Sequence, residues 1–345
     1  MPGLRVAVIG AGANSRLHHV PGLLAQPDVE VVAVCNRTTE SGQRVAAEFG
    51  IANVVTDPEA IFADPAIDAV CIGTWPYRHR EYAVRALNAG KHVLCEARMA
   101  MDAAEAQEML GAAQRRPDLV AQLVPAPFDL RSWRTIRRLL ADGSLGSLRE
   151  VHATILGGGA LNADAPLQWR ERAEYSGMNT MTMGIYAEVI GRWIGPAERV
   201  VADAAIFVTS RVDPESGRRL DIEVPDSLGI LARYAGGVRA TYRVSNVTHA
   251  PREGNGVSLF GSRGTLHWHA NDTMTFAPVG EAPRPLEPDA GTARDWEVEH
   301  DFVASIREGR PVELTSFEAG VHYMQFTEAV WRSWSEQRPV DVVSV

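Results

Sequence analysis

A glycine-rich loop near the start of the chain has residue types and a spacing that indicate chemistry. In VAVIGAGANSRLHHVPGL, Gly10 and Gly12 fill the first two positions of the pattern G-x-G-x-x-G, and Ser15 fills the third. Gly10 permits a tight turn, and Gly12 lets the backbone approach a pyrophosphate at a helix N-terminus. Ser15 departs from the pattern but is small enough for helix–sheet packing. The loop predicts a dinucleotide site at Gly10, Gly12, Ala13, Asn14 and Ser15; a structural turn is the alternative.

The end of the second apolar run bears on which dinucleotide would bind. An acidic residue about 20 residues beyond such a loop binds the ribose 2′-hydroxyl of NAD. Here the run ends in Asn36, Arg37 and Thr38, which carry no carboxylate. A guanidinium can bind a 2′-phosphate through its planar fork. The residues therefore favour NADP over NAD, although Arg37 as a solvated loop residue is the simpler alternative.

The elements that must position this loop follow from alternating apolar runs and helical patterns. The predicted strands are LRVAVIG (4–10), VEVVAVC (29–35), AIDAVCIGT (66–74), HVLC (92–95) and LVAQLVP (119–125), and the predicted helices are 15–25, 39–49, 77–89 and 102–116. Strands that are apolar on both faces and alternate with helices are typical of a doubly wound parallel sheet. Residues 1–125 are therefore predicted to form an α/β Rossmann domain that binds NAD(P).

The pattern changes after Pro125 to alternating strands and glycine-rich turns. The predicted strands are 149–156, 199–210, 226–235, 237–247, 256–268 and 273–278, with helices at 131–142, 177–194, 295–309 and 315–337 and a surface loop at 279–294. Residues 126–345 are predicted to form an α+β domain with a large open, mainly antiparallel sheet that binds the substrate. The C-terminal helices are candidates to pack back on the first domain.

Composition argues against several classes of protein. The net charge is −9 in 345 residues, which is untypical of a nucleic-acid binder. No run approaches the roughly 18 apolar residues of a membrane span. The cysteines Cys35, Cys71 and Cys95 lie in apolar runs, which predicts buried free thiols in a reducing cytoplasm. The pair of histidines in HWH (267–269) is a weak metal site, so no metal is predicted.

Several longer stretches resemble one family. GTWPYRHREYAVRALNAGKHVLCEA is similar to the T-P-x-x-x-H…A-L-x-A-G-K-H-V-L-x-E-K-P stretch of the glucose-fructose oxidoreductase / inositol dehydrogenase / rhizopine-catabolism family, Gfo/Idh/MocA. LLADGSLGSLREVHA, QWRERAEYSGM, GVSLFGSRGTL and SIREGRPVELTSFEAG resemble later segments of the same family. The resemblance implies hydride transfer at alcohol carbons of sugars or polyols. It also implies homodimers or homotetramers that pair through the C-terminal sheet.

The resemblance assigns further cofactor-binding positions. Glu96 matches the glutamate that contacts the cofactor ribose, and Ala97 follows it. The loop beneath the nicotinamide and the pair near the nicotinamide and substrate match Thr74, Trp75, Pro76, His79, Trp169 and Arg170. For His79, a structural hydrogen bond at the start of a helix remains an equal alternative.

The catalytic positions that the resemblance implies are replaced. The lysine of E-K-P falls on Ala97 and its proline on Arg98. The Asp, His and second Asp of the active-site helix fall on Thr182, Tyr186 and Val189, and an arginine at the entry to the second domain becomes Pro127. The chain is thus identified as an atypical member of the family.

Other groups must then supply the acid or base. Thr182 and Tyr186 are four residues apart and are predicted to share a helix face with Asn179. Tyr186 could act as an acid for ketone reduction if Arg98 or Arg170 stabilised its phenolate. A packed aromatic is the alternative reading of Tyr186.

Six more side chains are weaker candidates. His249 could serve as a base, although a loop histidine is more often solvated. Glu188 is expected at a surface or interface. His18 or His19 could approach the substrate edge, but contact on the surface of the predicted helix 15–25 is the simpler reading. Asp129 and Arg131 enter the second domain near where the resemblance implies substrate binding, and a domain-linking salt bridge is an equal alternative.

Three hypotheses follow for function. The first is an NAD(P)-dependent dehydrogenase or reductase of a sugar, polyol or other small hydroxylated or keto substrate, with non-standard acid–base residues. The second is an enzyme that uses bound NAD(P) transiently for elimination, epimerisation or bond cleavage. The third is a non-catalytic NADP-binding protein.

Overall fold

The computed structural model describes residues 3–251 and 254–342, and the chain divides into two compact units. One unit comprises Met1–Pro125 and Glu297–Val321, and the other comprises Ala126–Trp296 and His322–Val345. The assignment of cofactor binding to residues 1–125 and substrate binding to residues 126–345 stays a prediction, because compactness alone gives neither unit a role.

Strands and helices alternate through the first third of the chain and give way to a strand-rich part. The strands are β1 (Leu4–Ile9), β2 (Val29–Cys35), β3 (Asn53–Val55), β4 (Ala69–Ile72), β5 (His92–Cys95), β6 (Ala121–Leu123), β7 (Leu148–Leu156), β8 (Ala197–Ala205), β9 (Ser210–Val212), β10 (Arg219–Asp221), β11 (Ser227–Tyr234), β12 (Arg239–Ser245), β13 (Gly256–Gly261), β14 (Gly264–His269), β15 (Met274–Pro278), β16 (Arg284–Leu286) and β17 (Val340–Asp341). The helices are α1 (Val20–Leu24), α2 (Thr39–Phe49), α3 (Glu59–Phe62), α4 (His79–Asn88), α5 (Ala103–Gln114), α6 (Trp133–Ala141), α7 (Ala173–Ser176), α8 (Met183–Ile194), α9 (Val298–Glu308) and α10 (Phe317–Glu336).

The first unit contains the predicted doubly wound parallel sheet. Its six described strands lie in the order β3-β2-β1-β4-β5-β6, and every neighbouring pair is parallel. The central strands are buried along almost their whole length because they are apolar on both faces. The strand order reverses between β1 and β4, where ligands of open α/β sheets bind outside the carboxyl ends of the strands.

The second unit contains the predicted large, mainly antiparallel sheet. Among the described residues nine strands lie in the order β16-β15-β14-β13-β7-β12-β11-β8-β17, and only β7 and β12 pair in parallel. β9 and β10 form a separate two-stranded ribbon that the sequence patterns did not predict. The predicted surface loop over 279–294 is interrupted by a strand at Arg284–Leu286, which pairs with β15. Pro285 is tolerated there because β16 is an edge strand.

The large sheet is covered on one face and open on the other. Helix α10 covers part of one face, where the rings of Phe326 and Tyr242 lie 5.3 Å apart. The opposite face exposes two apolar side chains in register, Val201 (42% exposed) and Leu231 (54% exposed). Homo-oligomer formation through this sheet stays a prediction.

The start of α8 differs from the prediction of one helix over 177–194. Residues 177–182 are not helical, and positive φ angles at Gly177 (60°) and Met181 (47°) separate α7 from α8. Left-handed backbone cannot continue an α-helix of L-residues. Asn179 therefore lies in the connecting turn. The prediction that it shares a helix face with Tyr186 is wrong.

Two observations bear on the cellular setting. Cys35, Cys71 and Cys95 are free and buried, as predicted. Within residues 3–251 and 254–342, no helix combines the length and the apolar composition needed to cross a bilayer. The cytoplasmic location stays a prediction.

Candidate active site

The glycine loop follows β1 at the carboxyl edge of the parallel sheet. Gly10 has φ +81°, a conformation that favours glycine, and its N–H donates to the carbonyl of Cys35 at 2.8 Å. A Cβ at Gly10 would lie 2.6 Å from Thr74 Cγ2 and 2.8 Å from Thr74 N. Gly10 is therefore required by the protein itself, since the segment after β4 packs directly against it.

Gly12 and Ser15 show two further kinds of requirement. A Cβ at Gly12 would meet only the carbonyl of Gly10, at 4.0 Å, so Gly12 faces open space. Ser15 is 1% exposed, and a Cβ at Gly73 would lie 2.0 Å from its Oγ. The small third residue thus serves the predicted packing against the sheet. The open space at Gly12 is what a backbone needs when a ligand must come close.

The residues after β2 connect the loop to the neighbouring strand. Asn36 Oδ1 accepts a hydrogen bond from the Ala11 N–H at 2.8 Å, so part of the Asn36 amide holds the loop in place. Thr38 is the N-cap of α2, where its Oγ1 accepts from Ser41 N–H at 3.3 Å. Arg37 is exposed between them. The segment from Asn36 to Thr38, which is predicted to meet a 2′-phosphate, thus presents one exposed cationic side chain and no carboxylate.

Glu96 follows β5 and has both carboxylate oxygens engaged. Oε1 accepts from Asn14 Nδ2 and lies 2.9 Å from His19 Nε2, while Oε2 accepts from the Ala97 N–H at 3.0 Å. Burial favours the neutral acid, but the hydrogen bonds from His19, Asn14 and Ala97 outweigh it and hold the pKa of Glu96 below its usual value. The carboxylate is ionised at neutral pH and fixed in orientation.

His79 lies at the start of α4 and is completely buried. Its Nδ1 is 3.0 Å from the Arg98 carbonyl and its Nε2 is 2.8 Å from the Thr74 carbonyl. Burial lowers the pKa of His79, so the neutral ring predominates and donates to one of the two carbonyls at a time. These contacts favour the structural reading of His79, which ties the segment after β4 to the segment after β5.

The neighbours of these two segments differ in exposure. Ala97 and Arg98 are joined by a cis peptide, and Arg98 is only 8% exposed, so most of its side chain is buried. Pro76 is buried, whereas Trp75 is 38% exposed. Ala13 and Asn14 are exposed at the start of the loop helix. The cofactor-binding roles of all these residues stay predictions.

Tyr186 lies on α8 in an aromatic cluster of the second unit. Its ring centroid is 5.6 Å from that of Phe128 and 6.2 Å from that of Trp268, and the residue is 2% exposed. Its N–H donates to the Thr182 carbonyl at 3.2 Å, which places the two residues one turn apart. Burial raises the pKa of Tyr186 to about 12. Stabilisation of the Tyr186 phenolate by Arg98 or Arg170 stays a prediction.

The other charged residues of α8 belong to a buried ion cluster. Arg192 binds Asp129 and Glu188, and Glu188 Oε1 also accepts from the Ala126 N–H at 3.0 Å. Trp193 Nε1 donates to Asp129 Oδ2 at 2.8 Å. Glu188 was expected at a surface or interface, and the surface alternative is wrong because the residue is 7% exposed. Arg192 is one helical turn away, whereas Ala126 lies 62 residues away in the sequence. Asp129 binds within its own unit.

Trp169 and Arg170 lie on a short turn that a buried arginine supports. The Arg170 guanidinium stacks 4.2 Å from the centre of the Trp169 ring. Glu171 accepts from Arg211 Nε at 2.9 Å and from Gln168 N–H at 2.8 Å, and Arg211 is 1% exposed. Arg211 was not singled out from the sequence, because its ribbon was not predicted.

His249 lies in a loop, as expected, whereas the placement of His19 differs from expectation. His249 lies in an exposed bend after β12, and its role as a base stays a prediction. His19, expected on a helix surface, is instead 0% exposed and lies between Glu96 and Glu299. Glu299 could not be foreseen as its partner, since 280 residues separate the two in sequence.

Comparison with known proteins assigns the family. A model described as "Oxidoreductase family, NAD-binding Rossmann fold" matches residues 4–122, and a model of the GFO/IDH/MocA C-terminal domain matches residues 133–267. The chain therefore belongs to the Gfo/Idh/MocA family, as its motifs predicted. It is an NAD(P)-binding oxidoreductase.

Three relatives illustrate the range of the family. 1,5-Anhydro-D-fructose reductase from Ensifer adhaerens is 30% identical over 301 residues, covering 82% of this chain and 83% of its own. Trans-1,2-dihydrobenzene-1,2-diol dehydrogenase from Sus scrofa is 26% identical over 291 residues, covering 83% and 81%. Levoglucosan dehydrogenase from Pseudarthrobacter phenanthrenivorans is 23% identical over 397 aligned positions and covers both chains in full. A solved structure of levoglucosan dehydrogenase with NADH and L-sorbose has a TM-score of 0.86 at 21% identity, covering 100% of each chain, which shows the shared fold.

Proposed function

We propose that this oxidoreductase transfers hydride between a nicotinamide dinucleotide and an alcohol or carbonyl carbon of a sugar, polyol or other small hydroxylated or keto substrate. NADP is the preferred dinucleotide and NAD the alternative. Tyr186 is the acid that protonates the substrate oxygen during reduction. Thr182, Arg98, Arg170 and His249 remain the other candidates for contacts with the reacting substrate.

The open space at Gly12 is the observation that carries the proposal. The loop lies where the strand order reverses. Packing within the protein accounts for the glycine at Gly10 and the small residue at Ser15. Nothing in the described protein approaches a Cβ at Gly12 closer than 4.0 Å. A glycine whose missing side chain faces open space at a helix N-terminus suits the close approach of a pyrophosphate.

The names of the relatives support the class of substrate. They are a reductase of an anhydro sugar and dehydrogenases of a diol and of levoglucosan. These names share a hydroxyl-bearing carbon or the ketone derived from it. Because the lysine and histidine positions of the family hold Ala97 and Tyr186 here, we extend the class to small keto and hydroxy compounds that are not sugars.

The titratable groups of α8 support Tyr186 as the acid. Throughout this fully described helix, Glu188 and Arg192 are the other titratable side chains, and both are bound in the buried ion cluster. With a pKa of about 12, Tyr186 is protonated at neutral pH, and only about one phenol in 10⁵ is ionised at pH 7. The protonated phenol is the form that can donate to a carbonyl oxygen, whereas oxidation of an alcohol would need the rare phenolate as its base. We therefore propose that Tyr186 serves carbonyl reduction near neutrality.

The chemistry divides between the dinucleotide and the protein. When bound, the dinucleotide supplies the hydride, which the carbonyl carbon accepts. The phenol of Tyr186 donates its proton to the carbonyl oxygen, so that the product is a neutral alcohol. The resulting phenolate regains a proton from solvent before the next turnover.

The test is Tyr186→Phe, which removes the proton and keeps the packed ring. We expect kcat for ketone reduction to fall roughly 10²- to 10⁴-fold, the usual contribution of a positioned acid. The affinity for NADPH should not change. Nicotinamide absorbance, followed across a panel of ketoses, keto acids and diketones, measures the rate, and Tyr82→Phe is the matched control. Full activity in Tyr186→Phe would exclude Tyr186 as the acid, and product formation without an absorbance change would exclude net redox chemistry.

A further inference from the structure

A hydrogen-bonded triad of ionisable side chains, Glu299, His19 and Glu96, lies in the first unit. His19 Nδ1 is 2.6 Å from Glu299 Oε1, and His19 Nε2 is 2.9 Å from Glu96 Oε1. His19 is 0% and Glu299 is 2% exposed. An imidazole with a carboxylate at each nitrogen donates to both only when it is protonated. The arrangement therefore contains one imidazolium between two carboxylates.

At its Glu96 end, this triad contacts groups that are predicted to bind the cofactor. Glu96 accepts from the backbone N–H of Ala97 at 3.0 Å and from the side chain of Asn14 in the glycine loop. The orientation of the Glu96 carboxylate is thus set by three donors, of which His19 is the charged one. Loss of His19 would leave the carboxylate with two donors that come from exposed or half-buried segments.

Glu299 is fixed in its turn by close packing between α1 and α9. A Cβ at Gly22 would lie 2.6 Å from Glu299 Oε2 and 2.8 Å from its carboxyl carbon. The absence of a side chain at Gly22 therefore makes the space that Glu299 occupies. Helix α9 lies almost 300 residues after β1 in sequence, yet it supplies Glu299, the other end of this triad.

We propose that His19 is a positioning residue for dinucleotide binding, held by Glu299 and acting through Glu96. This inference rests on the function proposed above, since it assumes that Glu96 contacts the bound dinucleotide. The positive charge of His19 is part of the device. The affinity for the dinucleotide should therefore fall when that charge is lost.

The pH at which the charge is lost follows from the surroundings. Burial alone would lower the pKa of His19, but the hydrogen bonds that His19 donates to Glu299 and Glu96 outweigh it and raise the pKa to about 9. A raised pKa means that the contribution is complete below the ordinary value near 6.5 and is lost as pH rises through about 9. Among the described residues, Cys71, Cys95 and His79 also interact with these carboxylates. Burial raises the pKa values of both thiols well above their ordinary values and lowers that of His79, so none of the three gains or loses charge near pH 9.

The experiment is fluorescence titration of the full-length protein with NADPH and NADH between pH 7 and 10. For the wild type we expect a roughly tenfold loss of affinity centred near pH 9, the size expected for one hydrogen bond to a charged group. In Glu299→Gln the loss should be centred at a lower pH, because one of the two carboxylates that raise the pKa is neutralised. In His19→Gln the affinity should be roughly tenfold weaker at pH 7.5 and independent of pH over this range. A purely structural role would not move the midpoint.

Two further variants keep the test decisive if His19→Gln folds poorly. Gly22→Ala retains all three ionisable side chains but displaces Glu299, and it should reproduce the lower midpoint of Glu299→Gln. His18→Gln removes the adjacent half-buried histidine and should behave as the wild type. A wild-type affinity that is constant from pH 7 to 10, or an unchanged midpoint in Glu299→Gln, would overturn the positioning role. A wild-type protein that binds neither dinucleotide at pH 7.5 would instead overturn the proposed function.

Discussion

The two glycines of the cofactor loop should respond in opposite ways to the same substitution. Gly10 has φ +81°, and an added Cβ would lie 2.6 Å from Thr74 Cγ2 and 2.8 Å from Thr74 N. Gly12 has an ordinary φ, and an added Cβ would meet nothing nearer than the Gly10 carbonyl at 4.0 Å. Gly10→Ala should therefore perturb the packing of the folded protein, whereas Gly12→Ala should only narrow the open space beside the loop.

The magnitudes follow from these contacts. A left-handed conformation costs an L-residue about 1–2 kcal/mol, and forcing an extra carbon into packed atoms costs about 1–3 kcal/mol. Gly10→Ala should thus lower the free energy of unfolding by about 2–5 kcal/mol. Gly12→Ala should change it by less than about 0.5 kcal/mol. If a pyrophosphate fills the space at Gly12, the same crowding of about 1–3 kcal/mol weakens dinucleotide binding roughly 5- to 150-fold.

Urea denaturation and NADPH fluorescence titration of the two variants separate these effects. The predicted result is a destabilised Gly10→Ala protein and a stable Gly12→Ala protein that binds NADPH and NADH weakly. Wild-type affinity in Gly12→Ala would refute the assignment of this loop to the pyrophosphate. Wild-type stability in Gly10→Ala would refute the packing of the loop against Thr74.

Two other substitutions test the cofactor preference and the core of the second unit. Arg37→Ala should weaken NADPH binding roughly 10- to 100-fold and leave NADH binding unchanged, because only NADPH carries the 2′-phosphate. Arg115→Ala, at the C-cap of α5, is the control and should alter neither affinity. Equal loss for both dinucleotides in Arg37→Ala would contradict this prediction. Arg192→Met should lower the free energy of unfolding by about 3–5 kcal/mol, because it leaves the buried Asp129 carboxylate uncompensated. Arg332→Met removes a half-exposed ion pair with Glu336 and should cost less than about 1 kcal/mol in the same urea titration. A stable Arg192→Met protein would show that the ion cluster contributes little.

The sequence patterns predicted the first unit well because local residue patterns identify most of its strands and helices. The runs 29–35 and 92–95 and the helical pattern 39–49 coincide with β2, β5 and α2. Buried parallel strands are continuous apolar runs, and Thr38 and Gly50 mark the ends of α2. The three-residue β3 and the four-residue α3 are too short to produce a periodic signal.

The second unit and the site were harder to predict because their determinants are distant in sequence. The pattern over 177–194 gave no sign that Met181 adopts φ +47°, which moved Asn179 out of the helix. Glu188 looked like a surface residue because Asp129 and Arg192, the other members of its cluster, come together only in the fold. Periodicity reports which face of an element is apolar; it does not report which buried charges meet.

The chemistry was predictable only as far as motifs reach. The glycine loop and the stretch ending in Glu96 were sufficient to indicate a dinucleotide and the family, and the family is confirmed. The replacement of the usual lysine by Ala97 was also visible in the sequence. The burial of Arg98 and of Tyr186 was not, and burial of Tyr186 raises the pKa of its phenol to about 12.

Transfer of a labelled hydride tests the central claim most directly. NADPH that carries deuterium at its transferable position is incubated with the wild-type protein and the panel of carbonyl compounds, and the products are analysed by mass spectrometry. The account predicts an alcohol product with one deuterium on the former carbonyl carbon and one equivalent of NADP formed. A product without deuterium, or NADPH that is bound but never oxidised by any member of the panel, would contradict it.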